Sequence, residues 1–251
     1  MTRLLIVPAA GRGSRLGAGR PKPLVEVDGR IMLDHLADLY RRHVDHTAVV
    51  AHPACAAEIE AWARRHGNAS VAVQEQPTGM LDAILLAAPA VRARRPDAIW
   101  ITWADQIGVL PATVDRLADL DAQQPTPALV LPTVKRRDPY THFERDSRGR
   151  FSRFLQRREG DPMPAEGESD MGLFALARDT FENDLTEYAR TVVPAAGTGE
   201  RNFVPFVPWL AQRQAVVSFP CTDPMEAIGI NTPEELRAVE AWLQARGPRC
   251  E

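Results

Sequence analysis

Residues 7–24 read VPAAGRGSRLGAGRPKPL. The stretch holds glycines at 11, 13, 17 and 19, the cations Arg12, Arg15, Arg20 and Lys22, and no acid. Glycine lets backbone N–H groups close on phosphate oxygens, and Arg and Lys add charge-assisted hydrogen bonds. So much bare backbone and positive charge in one loop points to a polyphosphate. Two common phosphate loops are excluded by position. A dinucleotide fingerprint begun at Gly11 needs glycine at 16, where Leu16 stands, and the next strand ends in Val-Val-Ala-His rather than in an acid for a ribose. A Walker A loop needs Gly-Lys-Ser/Thr, whereas Lys22 lies between Pro21 and Pro23. What remains is Gly-x-Gly-x-Arg, followed after Arg20 by Pro-Lys-Pro-Leu.

The elements around this loop must place it. RLLIV (3–7) reads as a buried strand that ends at Pro8 and the glycines. Helices are expected over 31–44, 55–67 (closed by Gly67) and 80–91, alternating with strands over 46–52, 69–76 and 98–105. Strand–helix alternation at this spacing means βαβ units and a parallel sheet, with ligands bound beyond the carboxyl ends of the strands. The glycine loop, QEQPTG (74–79) and WADQ (103–106) all fall at such ends. In the second half, 127–134 and 171–176 read as strands, 135–151 as a polar strand pair around Gly149, and 160–169 as a Pro- and Gly-rich loop. A closing helix is expected over 231–247, with Thr232 as N-cap, Pro233 in the first turn and Glu235 completing a capping box. The organisation predicted is a single domain over 1–251, with a nucleotide-binding half (1–110) and an acceptor-binding half (127–230).

Composition narrows the class. The 251 residues carry a net charge of −3, 45% hydrophobic and 25% charged residues, which suits a globular α/β chain with a full core. Nothing in that balance points to a nucleic-acid surface. No apolar run approaches the roughly 18 residues needed to cross a bilayer, and the opening apolar run is too short for a signal peptide. Cys55, Cys221 and Cys250 lie far apart, without a C-x-x-C pair, which suits a reducing cytoplasm and argues against a zinc site.

The stretch PAAGRGSRLGAGRPKPL closely resembles the signature of the sugar-1-phosphate nucleotidyltransferases, nearest to the uridylyltransferase part of bacterial N-acetylglucosamine-1-phosphate uridylyltransferases. Further segments resemble that family in the same order: EQPTGMLDAI as its base-reading segment, WADQIGV as the acid after the fourth strand, ESDMGLFAL as a sugar-contacting segment, TGERNFVPF near the sugar, and EAIGINTPEELRAVE as its closing segment. The family's acetyltransferase domain is not expected here. The resemblance implies a Rossmann-like three-layer α/β/α nucleotidyltransferase fold with a mostly parallel sheet. It also implies a Mg²⁺-dependent transfer from a nucleoside triphosphate, UTP or CTP, to a phosphorylated small molecule, with release of pyrophosphate, in nucleotide-sugar biosynthesis.

The same resemblance implies roles. Ala9, Ala10, Gly11 and Gly13 would contact the nucleotide through backbone, with Gln76 and Gly79 reading the base. Arg15 would hold the β and γ phosphates and Lys22 the α-phosphate. Asp105 and Asn231 would share Mg²⁺, which takes few protein ligands, all oxygen. As structural alternatives, Asp105 and Asn231 are both plausible helix caps. Gln156, Asp170 and Gly172 would meet the acceptor. No general base is required, because the acceptor phosphate is already an anion.

The departures from the family pattern cluster in the acceptor half. Gln156 stands for Glu, Asp170 for Asn, and Thr141-His142 replaces part of a Tyr-Gly-Arg motif; at the acid, Ala104-Asp105 replaces Gly-Asp. A cytidylyltransferase acting on a phosphorylated alcohol or phosphonate is therefore an alternative, whereas a guanylyltransferase of the molybdopterin type fits less well, because the long second half provides more acceptor pocket than that reaction needs. A non-catalytic regulatory subunit is a third class, which the retention of Arg15, Lys22, Asp105 and Asn231 argues against.

Overall fold

The computed structural model describes residues 1–11, 16 and 20–246. In chain order the elements are β1 (Arg3–Ala9), β2 (Glu26–Val27), β3 (Arg30–Ile31), α1 (Met32–Tyr40), β4 (His46–Ala51), α2 (Ala56–His66), β5 (Ala69–Val73), α3 (Met80–Leu85), α4 (Ala88–Arg94) and β6 (Ala98–Thr102). The second half continues with α5 (Pro111–Asp121), β7 (Leu129–Arg137), β8 (Thr141–Arg145), β9 (Phe151–Gln156), β10 (Glu166–Asp170), β11 (Leu173–Ala177), α6 (Leu185–Thr191), α7 (Phe206–Ala211), β12 (Val216–Pro220) and α8 (Pro233–Gln244).

Parallel pairs β5–β4, β4–β1 and β1–β6 form one flank of the main sheet. Beyond β6 lies β11, antiparallel, and then β7. β10 takes the far end of β7 at 133–137, and β12 runs parallel along 129–133. Alternation along the central strands supplies two cores. Leu5 and Val7 of β1, with Ala98 and Trp100 of β6, face a cluster completed by Met32, Leu36, Ile59, Trp62, Leu117 and Val239. Leu4 and Ile6, with Ile99 and Ile101, face the opposite cluster, which holds Leu81, Ile84, Val91, Leu185 and Phe206. Buried on both faces, β1 reads as a continuous apolar run, as parallel strands do. The result is the expected three-layer α/β/α arrangement with a mostly parallel sheet.

Several expected boundaries move for local reasons. The helix over 31–44 ends at Tyr40. The helix over 80–91 is two helices, because Pro89 lacks an N–H and its ring would clash with the carbonyl of Leu85, where α3 stops. The expected loop over 160–169 gives way to β10, whose polar run Glu-Gly-Glu-Ser-Asp is held by its ladder with β7 rather than by an apolar face. α5, α6, α7 and β12 lie where no element is expected from the sequence. The strand pair around Gly149 forms as β8–β9. α2 closes on Gly67 at φ 75°, and α8 starts at Thr232 with the full capping box.

His46, only 2% exposed, opens β4. Its Nε2 meets Ser70 Oγ at 2.8 Å, while Nδ1 has no hydrogen-bond partner among the described residues. Burial, helped by the Arg94 charge, lowers its pKa to about 4. The unfolded chain takes up the proton near pH 6.5 and the folded one only near 4, so this contribution is complete above 6.5 and is lost as pH falls through that window. Urea midpoints measured from pH 7 to 4 should fall by the equivalent of up to about 3 kcal/mol. His46→Gln should flatten that slope.

Candidate active site

The loop after β1 brings Ala9 and Gly11 to the mouth of a cleft of about 830 Å³ at the carboxyl ends of β1 and β6. Ala10, beside them, is buried. A Cβ on Gly11 would meet nothing within 4 Å, so the backbone there is open to a ligand. Gly13 and Arg15 lie outside the described residues. Lys22 follows on a single 3₁₀ turn, Lys22–Leu24, preceded by Pro21 and containing Pro23. Two prolines pre-set the backbone on either side of the lysine.

Lys22 Nζ lies 2.6 Å from Asp105 Oδ2 and 2.8 Å from Asn231 Oδ1. The side chains of Lys22 and Asp105 are only 16% and 12% exposed. Asp105 follows the end of β6 and does not cap a helix. Asn231 does not cap one either, because Thr232 takes that position in α8. Glu235 Oε2 accepts the N–H groups of both Asn231 (2.7 Å) and Thr232 (2.9 Å), which frees the Asn231 side chain. Its Nδ2 donates to Gly229 O at 3.0 Å, turning Oδ1 toward the lysine.

The segment before α8 is fastened from below by Glu226, which is fully buried. Its Oε1 accepts the N–H groups of Thr222 and Asp223 at 3.0 Å, and its Oε2 that of Leu110 at 2.9 Å. Gln106 Nε2 donates to the Glu226 carbonyl at 2.9 Å. Three donors on one buried carboxylate fix the loop that delivers Asn231. Glycine at 229 is a packing demand: a Cβ would lie 3.2 Å from both Asp105 Oδ2 and Gln106 Oε1.

On the other side of the cleft stand Gln156, Asp170 and Gly172. Asp170 Oδ1 accepts the Thr141 hydroxyl at 3.2 Å, and Oδ2 the Gly172 N–H at 3.0 Å. Burial pushes this carboxyl above the usual range, against those hydrogen bonds and the charge of Arg136. Gly172 sits at φ 66°, and a Cβ there would fall 2.1 Å from Trp103 Cδ1, so the indole packs directly on the glycine. Gln156 pairs with Thr141 across β8–β9, and its Oε1 accepts from Asn202 Nδ2 at 3.4 Å. His142 Nδ1 accepts the Glu168 N–H at 3.1 Å.

Gln76 is not brought to this cleft. It is exposed, and its carbonyl accepts the Thr78 N–H at 2.8 Å. The buried glutamine is Gln74, whose Nε2 donates to Gly79 O at 3.1 Å. Gly79 has φ 121°, and a Cβ would lie 2.5 Å from Arg201 N. Around it, Arg201 N donates to Thr78 O at 2.8 Å and Leu81 N to Arg201 O at 3.0 Å. Trp103, Arg136 and Asn202 also line the cleft although the sequence assigns them no role. Trp103 and Asn202 stand inside segments that the sequence does single out, WADQ and TGERNFVPF, whereas Arg136 sits in a basic run with no distinguishing pattern.

The MobA-like NTP transferase domain family matches over residues 5–168. The chain belongs to that family. It is also similar to the bifunctional protein GlmU of Pelotomaculum thermopropionicum, 28% identical over 251 residues, covering 96% of this chain and 52% of the relative. GlmU of Sorangium cellulosum is 29% identical over 250 residues, with the same coverage of 96% and 52%. The chain thus spans about half the length of these curated relatives. A stretch of 52 residues, 20% of this chain and 23% of the relative, is 42% identical to 2-C-methyl-D-erythritol 4-phosphate cytidylyltransferase of Neisseria meningitidis. The resemblance and the enzyme class expected from the glycine–arginine loop agree with membership of this NTP transferase family.

Gly79→Ala should cost about 2 kcal/mol or more, because the new Cβ meets backbone that cannot give way and the φ is strained. Urea unfolding measures it. A loss below about 0.5 kcal/mol would show that the close approach to Arg201 relaxes freely.

Proposed function

We propose that this NTP transferase moves the nucleotidyl group of a nucleoside triphosphate, UTP or CTP, onto the phosphate of a sugar-1-phosphate or similar phosphorylated small molecule in the cytoplasm. An acceptor phosphate oxygen attacks the α-phosphorus, the bond to the bridging oxygen breaks, and pyrophosphate departs with that electron pair. The acceptor is already an anion, so the protein's task is charge neutralisation and alignment. The observation that carries this reading is the convergence of Lys22, Asp105 and Asn231 at the end of the glycine loop.

In this reading Lys22 turns from Asp105 to the α-phosphate, where negative charge grows in the transition state. Arg15, with the backbone of Ala9, Ala10, Gly11 and Gly13, holds the departing phosphates. Gln76 and Gly79, just before the cleft-lining Met80, belong to the segment that would meet the base, and Gln156, Asp170 and Gly172 would face the acceptor. Asp105 and Asn231 would hold Mg²⁺. Their fit is supported by the two oxygens that already converge on one positive charge, and by a donor set of one carboxylate and one amide oxygen, which suits a hard cation that keeps most of its ligands from water and phosphate. Bound there, the ion would neutralise charge on the phosphates. The short match to a cytidylyltransferase favours, as a second reading, CTP with a phosphorylated alcohol.

A pyrophosphate-release assay over four triphosphates and a panel of phosphorylated sugars and alcohols tests the reaction. No release with any pair would refute it. Asp105→Ala should lower turnover by on the order of 100-fold or more while the melting temperature stays within a few degrees, and excess chelator should abolish activity. Lys22→Ala should act mainly on kcat, whereas Arg15→Ala should also weaken triphosphate binding.

The exchange of Glu for Gln156 and Asn for Asp170 rearranges donors and acceptors on the acceptor side. A site built for one hydroxyl pattern rejects mismatched analogues strongly. N-acetylglucosamine-1-phosphate should accordingly be a poor acceptor, with a lower kcat/KM than another member of the panel. If it proves the best acceptor, the exchange is a neutral swap.

A further inference from the structure

Four described cations line the cleft: Lys22, Arg136, Arg157 and Arg158. Three have carboxylate partners. Lys22 pairs with Asp105, Arg157 with Asp138, and Arg158 with Glu200 at 2.7 Å. Arg136 has no carboxylate at ion-pair distance among the described residues. Its Nη2 donates to the Ala227 carbonyl at 3.0 Å. A guanidinium carries five N–H donors in a fixed fork that suits phosphate, and a half-buried one without a counter-ion is poorly compensated until an anion arrives.

Its position decides which anion. Arg136 lies on β7 opposite Gly167 of β10. The Ala227 contact ties it to the segment that carries Gly229 and Asn231, while its charge reaches Asp170. It therefore stands between the Lys22–Asp105–Asn231 group and the acceptor wall. β11 and β6 separate β7 from β1. Three strand spacings set the two backbones about 14 Å apart, with Arg136 on the side of Asp170.

We propose that Arg136 binds the phosphate monoester of the acceptor and positions it for attack, making it a specificity residue for phosphorylated over neutral acceptors. The inference rests on the nucleotidyl-transfer reading of the cleft and adds the residue that receives the second anion. The alternative is that Arg136 only pins the loop through Ala227, in which case its loss would disturb Asn231 and the triphosphate site as well.

Methyl phosphate, the simplest monoester, separates the two. It is titrated into wild type, Arg136→Gln and Arg136→Lys by phosphorus NMR, with UTP and CTP affinities measured on the same proteins by calorimetry. Wild type should bind methyl phosphate saturably. Arg136→Gln should weaken that binding by at least about tenfold, Arg136→Lys should retain part of it, and triphosphate affinity should stay within about twofold in all three. Equal binding by wild type and Arg136→Gln, or no saturable binding by wild type, overturns the proposal. So does a joint loss of methyl phosphate and triphosphate in Arg136→Gln, the signature of a loop pin. A wild type that binds no triphosphate refutes the nucleotidyl-transfer reading, and the acceptor assignment falls with it.

Discussion

One ammonium group held between two oxygens organises this molecule. Lys22 Nζ joins the loop after β1, the segment after β6 and the residue before the N-cap of α8, across sequence separations of 83 and 209. Each partner arrives for its own reason. β1 and β6 are adjacent and parallel, so their carboxyl ends open on the same edge. The chain between Pro21 and Leu24 is set by proline rather than by hydrogen bonds from a side chain. Asn231 is delivered by a loop whose own anchor, Glu226, is buried and satisfied by three backbone donors. The cluster's position is over-determined, although each of its two contacts is a single hydrogen bond.

The wall of Gln156, Asp170 and Gly172 is built differently. It uses backbone approach more than sheet register. Trp103 packs on Gly172, and the Trp103 N–H donates to the Gly172 carbonyl at 2.9 Å, so the tryptophan and the glycine are locked together just past β6. The two-strand ribbon β8–β9 stands outside the main sheet and supplies Thr141 and Gln156 as neighbours across one ladder position. Changes in this wall alter which groups face the cleft without moving β1 or β6. That is the physical reason why departures from a family pattern can gather here while Lys22 and Asp105 remain in place.

How much of this was legible depends on which force fixes each residue. The strands over 3–9 and 98–102 were readable because burial on both faces leaves a continuous apolar run. The capping box of Thr232 and Glu235 was readable because it is local. β10 was not, since its five polar residues owe their extended form to a partner strand about thirty positions earlier in the chain. Gln74 is buried on the Gly79 carbonyl while Gln76 is exposed, a difference that no local pattern in QEQPTG encodes. Arg136 looked like one cation among several in Lys-Arg-Arg-Asp. That no carboxylate pairs with it among the described residues becomes visible only once the partners of Arg157 and Arg158 are known.

The pairing of charges across the cleft also constrains how a polyanion could enter it. Asp105 Oδ2 and Asn231 Oδ1 hold one cation between them, and that cation is Lys22. If Lys22 turns to a phosphate, the carboxylate is left mostly buried without a counter-charge, which is costly. On the proposed reading, a divalent ion held by Asp105 and Asn231 would supply the counter-charge that the lysine gives up. The lysine keeps the carboxylate compensated before the nucleotide binds, and the same carboxylate holds the lysine close to where the α-phosphate must lie. A neutral residue at 22 would leave that carboxylate uncompensated. The residue type at this position thus answers to Asp105 and Asn231 as well as to the proposed phosphate.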